Sequence, residues 1–339
     1  MHATTDTAVA IGRIGVGRGV AIFASLMVFG LLVLTYFNYD RDIRRARQRI
    51  SAGSQIVETA CGPIEYAIAG NGPPVLVAHG SGGGYDAGLD LTKGPVQSGF
   101  RVVAMSRFGY LRTPLPADAS PAAQADAYAC LLDALGLQRA ALIGVSGGGP
   151  SAMQFALRHP ERTAALVLLV PAAYPTHLEQ RQQGATPEQT SALTKFLFDI
   201  ALKWDFLFWA APRLAPQAVD EALLATPPEV VQSASAEERA RVAEMLDHLL
   251  PFSARRLGVL NDAANENPLP RYELERIAAP TLILSAADDM YGTYDGARYS
   301  AEHISHARFI SYPTGGHVLV GRYEQAMSEV VSFLAAYAR

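Results

Sequence analysis

The chain has 339 residues, half of them hydrophobic and 18% charged, enough for one large domain or two ordinary ones with a sizeable buried core. Its formal net charge of −4 gives no general electrostatic reason for a nucleic-acid partner. Cys61 and Cys130 form neither a metal-ligand spacing nor a disulfide framework. They could pair, but the plainer reading is two free thiols, which leaves the compartment open.

From Gly19 to Tyr39 no residue is charged. That is about the length a helix needs to cross a hydrocarbon core of roughly 30 Å. Tyr36, Phe37 and Tyr39 suit the membrane interface. Asp40, Arg41 and Asp42 come next, so no small-residue cleavage site is present, and an uncleaved anchor is expected rather than a removed signal peptide. Arg13 and Arg18 precede the span, whereas Arg41, Arg44, Arg45, Arg47 and Arg49 lie after it. The positive-inside rule then places the C-terminal side in the cytoplasm, although a large domain can be exported despite flanking charge. Residues 1–53 are therefore expected to be an anchor (19–39) with an arginine-rich juxtamembrane helix or linker, and residues 54–339 a separate globular domain.

Two alternating stretches, QIVET and IEYAIAG, predict strands joined by a turn near Cys61-Gly62-Pro63. Short apolar runs occur at 74–80, 100–106, 140–145, 165–170 and 281–286, as expected for strands of a parallel sheet covered on both faces. Between the second and third of these runs, residues 120–137 predict a helix. Ser120 is its N-cap, Pro121 lies in the first turn, and Tyr128, Leu131, Leu132 and Leu135 share one face. Alternation of this kind predicts an α/β fold with a mostly parallel sheet. Residues of about 172–278 contain no good strand. They predict a helical insertion over the sheet, broken near Pro212, Pro227, Pro228 and Pro251. Its aromatic stretch, 196–212, is expected to serve packing and a pocket more than membrane contact.

The chemistry begins at "ALIGVSGGGP", read as strand, sharp turn and helix. Gly144-Val145-Ser146-Gly147-Gly148 fits G-x-S-x-G, in which a strained turn exposes a serine hydroxyl. A phosphate loop would need a lysine after the glycines, and none is there. A serine nucleophile needs a base, and that base needs an orienting acid. Asp288 and Asp289 end the strand after the insertion, and His317 sits on a glycine turn after the last short strand. His79-Gly80-Ser81 with Gly82, Gly83 and Gly84 ends an early strand. The N–H groups of Ser81 and Gly147 are the candidate donors of an oxyanion hole.

These motifs stand in an order that resembles the α/β-hydrolase superfamily over roughly residues 55–339. The loop "SRFGYLRTP" also resembles a family loop, with Ser106 in place of its usual acid, Leu111 in place of a glycine and Thr113 in place of a serine. Laid on the family's strand-end pattern from Pro280, the triad acid falls on Asp289, with Thr293 at a position usually held by proline; Asp288 is the alternative. The resemblance implies an α/β-hydrolase fold with a helical lid and hydrolysis of a carboxylic ester through an acyl-enzyme on Ser146, His317 and Asp289, with no metal or organic cofactor. An amidase or aminopeptidase, a C–C bond hydrolase and a cofactor-free perhydrolase share that triad. Outside catalysis, the alternatives are a ligand receptor on a hydrolase scaffold and an anchored scaffold for a protein partner. The implied partners are a small acyl substrate and, through the N-terminal helix, a membrane.

Overall fold

The computed structural model describes residues 6–174, 203–266 and 269–338, with side chains from Val20 onward. It comprises two compact units, Met1–Arg45 and Ala46–Arg339. The first is occupied by a single helix, α1 (Asp6–Ala52), which runs on into the second unit. Its apolar run is long enough to cross a membrane, and side chains such as Phe23, Leu26, Phe29 and Leu32 are exposed. The arginine-rich stretch after the span is part of the same helix.

The second unit is built on an eight-stranded sheet of order β1-β2-β4-β3-β5-β6-β7-β8. The strands are β1 (Gln55–Thr59), β2 (Gly62–Ala69), β3 (Pro74–Ala78), β4 (Arg101–Met105), β5 (Ala140–Val145), β6 (Thr163–Leu169), β7 (Thr281–Ala286) and β8 (Ala307–Tyr312). β1 and β2 pair antiparallel, β2 is antiparallel to β4, and from β3 and β4 to β8 all pairings are parallel. Every residue of β6 and β7 is buried, as a strand covered on both faces requires. The edge strand β1 alternates in exposure instead.

Helices cover both faces. They are α2 (Tyr85–Leu91), α3 (Lys93–Gln97), α4 (Pro121–Ala134), α5 (Gly149–Arg158), α6 (Asp205–Leu214), α7 (Pro216–Ala222), α8 (Pro228–Ser233), α9 (Ala236–His248), α10 (Arg256–Asn265), α11 (Thr293–His303) and α12 (Tyr323–Tyr337). One apolar layer joins Tyr128, Leu131, Leu132, Met153, Phe155 and Ala297 to the sheet. The layer on the opposite face is made by Tyr85, Met327, Val330, Phe333 and Leu334. At the start of α4 the Ser120 hydroxyl accepts from the Ala123 N–H, as the sequence predicts.

The strand order creates the place for a site. The chain leaves β3 for β4, then crosses back to β5 on the other side of β3. The loops after β3 and β5 therefore diverge at the same end of neighbouring parallel strands, and a crevice opens between them.

Among the described residues the insertion between β6 and β7 is helical, with α6 to α10. Pro212 lies in the last turn of α6, which ends two residues later at Leu214. Part of the aromatic stretch lies outside the described residues. Of the rest, Phe208 and Trp209 are buried, and Phe208 stacks on Phe252 at 4.2 Å between ring centres. Trp204 stays mostly exposed.

The two cysteines correct the expectation of free thiols. The turn after β1 brings Cys61 against Cys130 on α4, and the two form a disulfide. A separation of 69 residues hid this proximity; only the packing of α4 beside β1 reveals it.

A buried arginine ties the insertion to the loop after β3. Arg255 has no exposed side-chain surface. It donates to both carboxylate oxygens of Asp86, at 3.1 and 2.8 Å, and to the carbonyls of Gly83, His248 and Leu249. Burial alone would raise the Asp86 carboxyl, but Arg255 and then Arg49 bring it below the usual carboxylate range. Removing Arg255 leaves the buried Asp86 charge with only Arg49, at 3.4 Å, to offset it. Arg255→Met should therefore cost about 3–5 kcal/mol in urea unfolding. The double variant Arg255→Met/Asp86→Leu should recover a large part of that loss.

Candidate active site

Ser146 sits at the end of β5 with φ +47°, a left-handed backbone that few non-glycine residues adopt. Close packing holds it there. A Cβ on Gly148 would lie 2.2 Å from the Ala78 carbonyl oxygen, and one on Gly144 would lie 2.6 Å from the Ala152 Cβ. Neither position has room for a side chain, so the turn must pass close under β3 and against α5. The result lifts the Ser146 side chain at the carboxyl end of the sheet, just before the N-terminus of α5, whose first N–H groups lack helical partners.

The structure brings His317 and Asp289 to this serine. His317 Nε2 lies 2.9 Å from Ser146 Oγ, and His317 Nδ1 lies 2.7 Å from Asp289 Oδ2. Asp289 also accepts from the Tyr291 N–H at 2.9 Å and from the Thr293 hydroxyl. Thr293, at the position the family pattern gives to proline, thus helps hold the carboxylate. Asp288 points elsewhere. Its two oxygens accept from the N–H groups of Gly315 and Gly316, at 3.1 and 2.8 Å, so it pins the turn that presents His317. Adjacent aspartates therefore divide two tasks. From the insertion, the Ala225 carbonyl accepts the His317 N–H at 3.3 Å, and the Tyr291 ring packs edge-on to the imidazole.

The loop after β3 approaches from the other side. A Cβ on Gly80 would lie 3.2 Å from the Ser146 Cβ, and one on Gly147 would lie 2.4 Å from the Ser81 Oγ. Ser81 and Gly147 are thus neighbours across the crevice. His79 shapes the loop through its ring hydrogen bonds. The Arg107 N–H donates to its Nε2 at 3.0 Å, which leaves the proton on Nδ1, and Nδ1 donates to the Gly80 carbonyl at 2.8 Å. Burial, then the Arg107 charge, hold this imidazole well below its usual range, which keeps it neutral.

Three features of the site carry no sequence motif. Glu65 on β2 is fully buried and accepts from Ser106 and from Arg112, occupying the space left by the missing acid of the "SRFGYLRTP" loop. Asp262 on α10 receives a bidentate ion pair from Arg107, at 2.8 and 2.6 Å, and hydroxyl bonds from Tyr110 and Ser81, each at 2.6 Å. The Ser81 hydroxyl therefore anchors its loop to the insertion. Glu266, one turn after Asp262, comes close to Gly147. Nothing in the sequence local to Asp262 or Glu266 marks them as part of the site. A cavity of about 1200 Å³ lies above Ser146, lined by residues that include Ser81, Leu224, Phe252, Glu266, Tyr291 and His317.

The alpha/beta hydrolase fold family matches residues 73–321. The chain belongs to the α/β-hydrolase family. This hydrolase is 28% identical over 292 residues to the 2-hydroxy-6-oxononadienedioate/2-hydroxy-6-oxononatrienedioate hydrolase of Paraburkholderia xenovorans, a match that spans 80% of this chain and 90% of that one. Among solved structures, an α/β hydrolase fold protein from Nakamurella multipartita is 30% identical with a TM-score of 0.63, covering 84% of this chain and 99% of its own. The esterase EaEST from Exiguobacterium antarcticum has the same fold, with a TM-score of 0.59 at 18% identity, over 84% and 98% of the two chains.

The division between the two aspartates of this hydrolase predicts unequal variants. Asp289→Asn should lower kcat on an activated ester by about 10⁴-fold, because the amide carries no charge to stabilise the imidazolium and its NH2 can hold the imidazole in the wrong tautomer. Asp288→Asn, which keeps an acceptor for the glycine turn, should stay within about tenfold of the parent. Steady-state kinetics on the two variants checks both.

Proposed function

We propose that this α/β hydrolase cleaves a carboxylic ester or related acyl bond with Ser146 as nucleophile. The observation that carries this reading is the continuous hydrogen-bonded chain from Ser146 through His317 to Asp289, at 2.9 and 2.7 Å, opening into a cavity beside a glycine loop. His317, unprotonated, takes the Ser146 proton as Oγ attacks the carbonyl carbon. Asp289 holds Nδ1–H and stabilises the imidazolium that forms. The N–H groups of Ser81 and Gly147 receive the oxyanion. Imidazolium then protonates the leaving group, and water, activated by the same His317, releases the acid from Ser146.

A C–C bond hydrolase is the second reading, favoured by the relative whose name gives a 2-hydroxy-6-oxo dienedioate as substrate. The two share the triad and differ in what the cavity positions before attack. A large, mostly apolar cavity suits a medium-length acyl chain or a ring. p-Nitrophenyl esters of increasing chain length, with an anilide, a peracid assay and a 2-hydroxy-6-oxo dienoate beside them, separate the possibilities. Efficient turnover is expected on an ester. Ser146→Ala should lower it by about 10⁴–10⁶-fold. Turnover confined to the dienoate would select the second reading, and tight binding of an ester without multiple turnover would select a receptor.

The N-terminal helix supports a membrane anchor, by its length, composition and exposed apolar side chains. The arginine count favours a cytoplasmic catalytic domain, but the Cys61–Cys130 disulfide favours an oxidising compartment. We give the disulfide more weight, because a large domain can be translocated despite flanking charge. A C-terminal alkaline phosphatase fusion in a bacterial host should be active and the corresponding green fluorescent protein fusion dark. The opposite pair would return the domain to the cytoplasm.

A further inference from the structure

Glu266 stands where an α/β hydrolase has least use for a carboxylate. It lines the same cavity as Ser146 and His317. A Cβ on Gly147 would lie 2.6 Å from Glu266 Oε1 and 3.2 Å from Asp262 Oδ2. Oε1 is sealed from solvent with no hydrogen-bond partner among the described residues. The carboxyl is thus set beside Gly147 with an oxygen that no described group satisfies.

The surrounding charges decide which form of the acid fits. Asp262 lies four residues earlier, at the same end of α10, and already has its cation in Arg107. From the loop after β4 come Arg107 and Tyr110, both committed to Asp262. Ser81 gives its hydroxyl to Asp262 as well. Tyr272, whose phenol is pushed up to about 12 chiefly by burial, and Tyr291 lie in the field of Glu266, and His317 stands across the cavity. No cation is left over to pair with Glu266 among these groups. Burial first, and Asp262 next, raise its carboxyl to about 7 against a smaller opposing effect of Arg107. Gly147 is also where negative charge gathers during acyl transfer, and an anion beside it would oppose that charge.

We propose that Glu266 works as a neutral acid, donating a hydrogen bond from its carboxyl to an acceptor oxygen of the acyl substrate bound at the Gly147 N–H. It is a further hydrogen-bond donor beside the oxyanion hole, and it forms and breaks no covalent bond. The preferred substrate class is an acyl compound with an acceptor oxygen on the Gly147 side of the carbonyl carbon, not one with an ammonium group there. This rests on Ser146 acting as the nucleophile. The donor is present while Glu266 is protonated, below about 7, and is lost as pH rises through that value.

The test is the pH profile of kcat/KM on an uncharged p-nitrophenyl ester, from about pH 5.5 to about 9.5, spanning the Glu266 titration, for the full chain and for Glu266→Gln and Glu266→Leu. Phosphonylation of Ser146 by an uncharged fluorophosphonate is read by peptide mass spectrometry on the same samples, with melting temperatures as a check of folding. The parent should lose activity by about tenfold per pH unit above about 7. Glu266→Gln, which keeps a donor, should lack that fall and exceed the parent at about pH 9. Glu266→Leu should be weaker than the parent at about pH 6 by about 10–10²-fold and should also lack the fall. A parent profile flat above about pH 7 would overturn the proposal, and needs no variant. So would a Glu266→Gln profile that falls like the parent's. Failure of Ser146 to label, with turnover kept in Ser146→Ala, would overturn the nucleophile itself. The label reads that failure separately from the profile.

Discussion

The left-handed turn at Ser146 is the constraint on which the rest of the site depends. A non-glycine residue at φ +47° costs of order 1–3 kcal/mol, and local sequence offers nothing to offset it. The offset is tertiary. β3 and β5 lie side by side in the sheet, Gly148 passes under the Ala78 carbonyl, and Gly144 packs against Ala152 of α5. Those contacts belong to the stable centre of the sheet, so the strain is concentrated in one residue instead of relaxing through the loop. With the serine fixed there, the loops after β3, β7 and β8 bring Ser81, Asp289 and His317 around it from separate strand ends.

A second set of buried charges decides how the insertion rests on this base. Arg255 reaches from the insertion to Asp86 and the Gly83 carbonyl, and Asp262 reaches to Arg107 and Ser81. Both ion pairs join the insertion to the loops that flank Ser146. Ion pairs so fully buried are weak sources of net stability but fix geometry, because each partner is costly to leave alone. The cavity above Ser146 is thus bounded by groups held through shared buried charges.

Much of this was legible from the sequence, for identifiable reasons. The apolar runs at 140–145 and 281–286 are the strands to the residue, because a strand buried on both faces has little choice of composition. Ser120 as a cap and the turn glycines around Ser146 were readable because they answer local backbone demands. Asp288 and Asp289 were harder, since adjacent residues differ only in which way the loop turns them. What stayed hidden was non-local. Cys130 meets Cys61 across 69 residues, Glu65 fills the space beside Ser106, and Asp262 and Glu266 enter the site from an insertion with no pattern of its own.

The central claim is that Ser146 becomes covalently acylated because His317 removes its proton. The most direct measurement is acid quenching of the enzyme during turnover of a slowly deacylating ester, with peptide mass spectrometry on the quenched chain. The account predicts an acyl group on Ser146, approaching one equivalent, and none on the same peptide from His317→Gln. Full turnover with Ser146 unmodified, or the acyl group on another side chain, would contradict it.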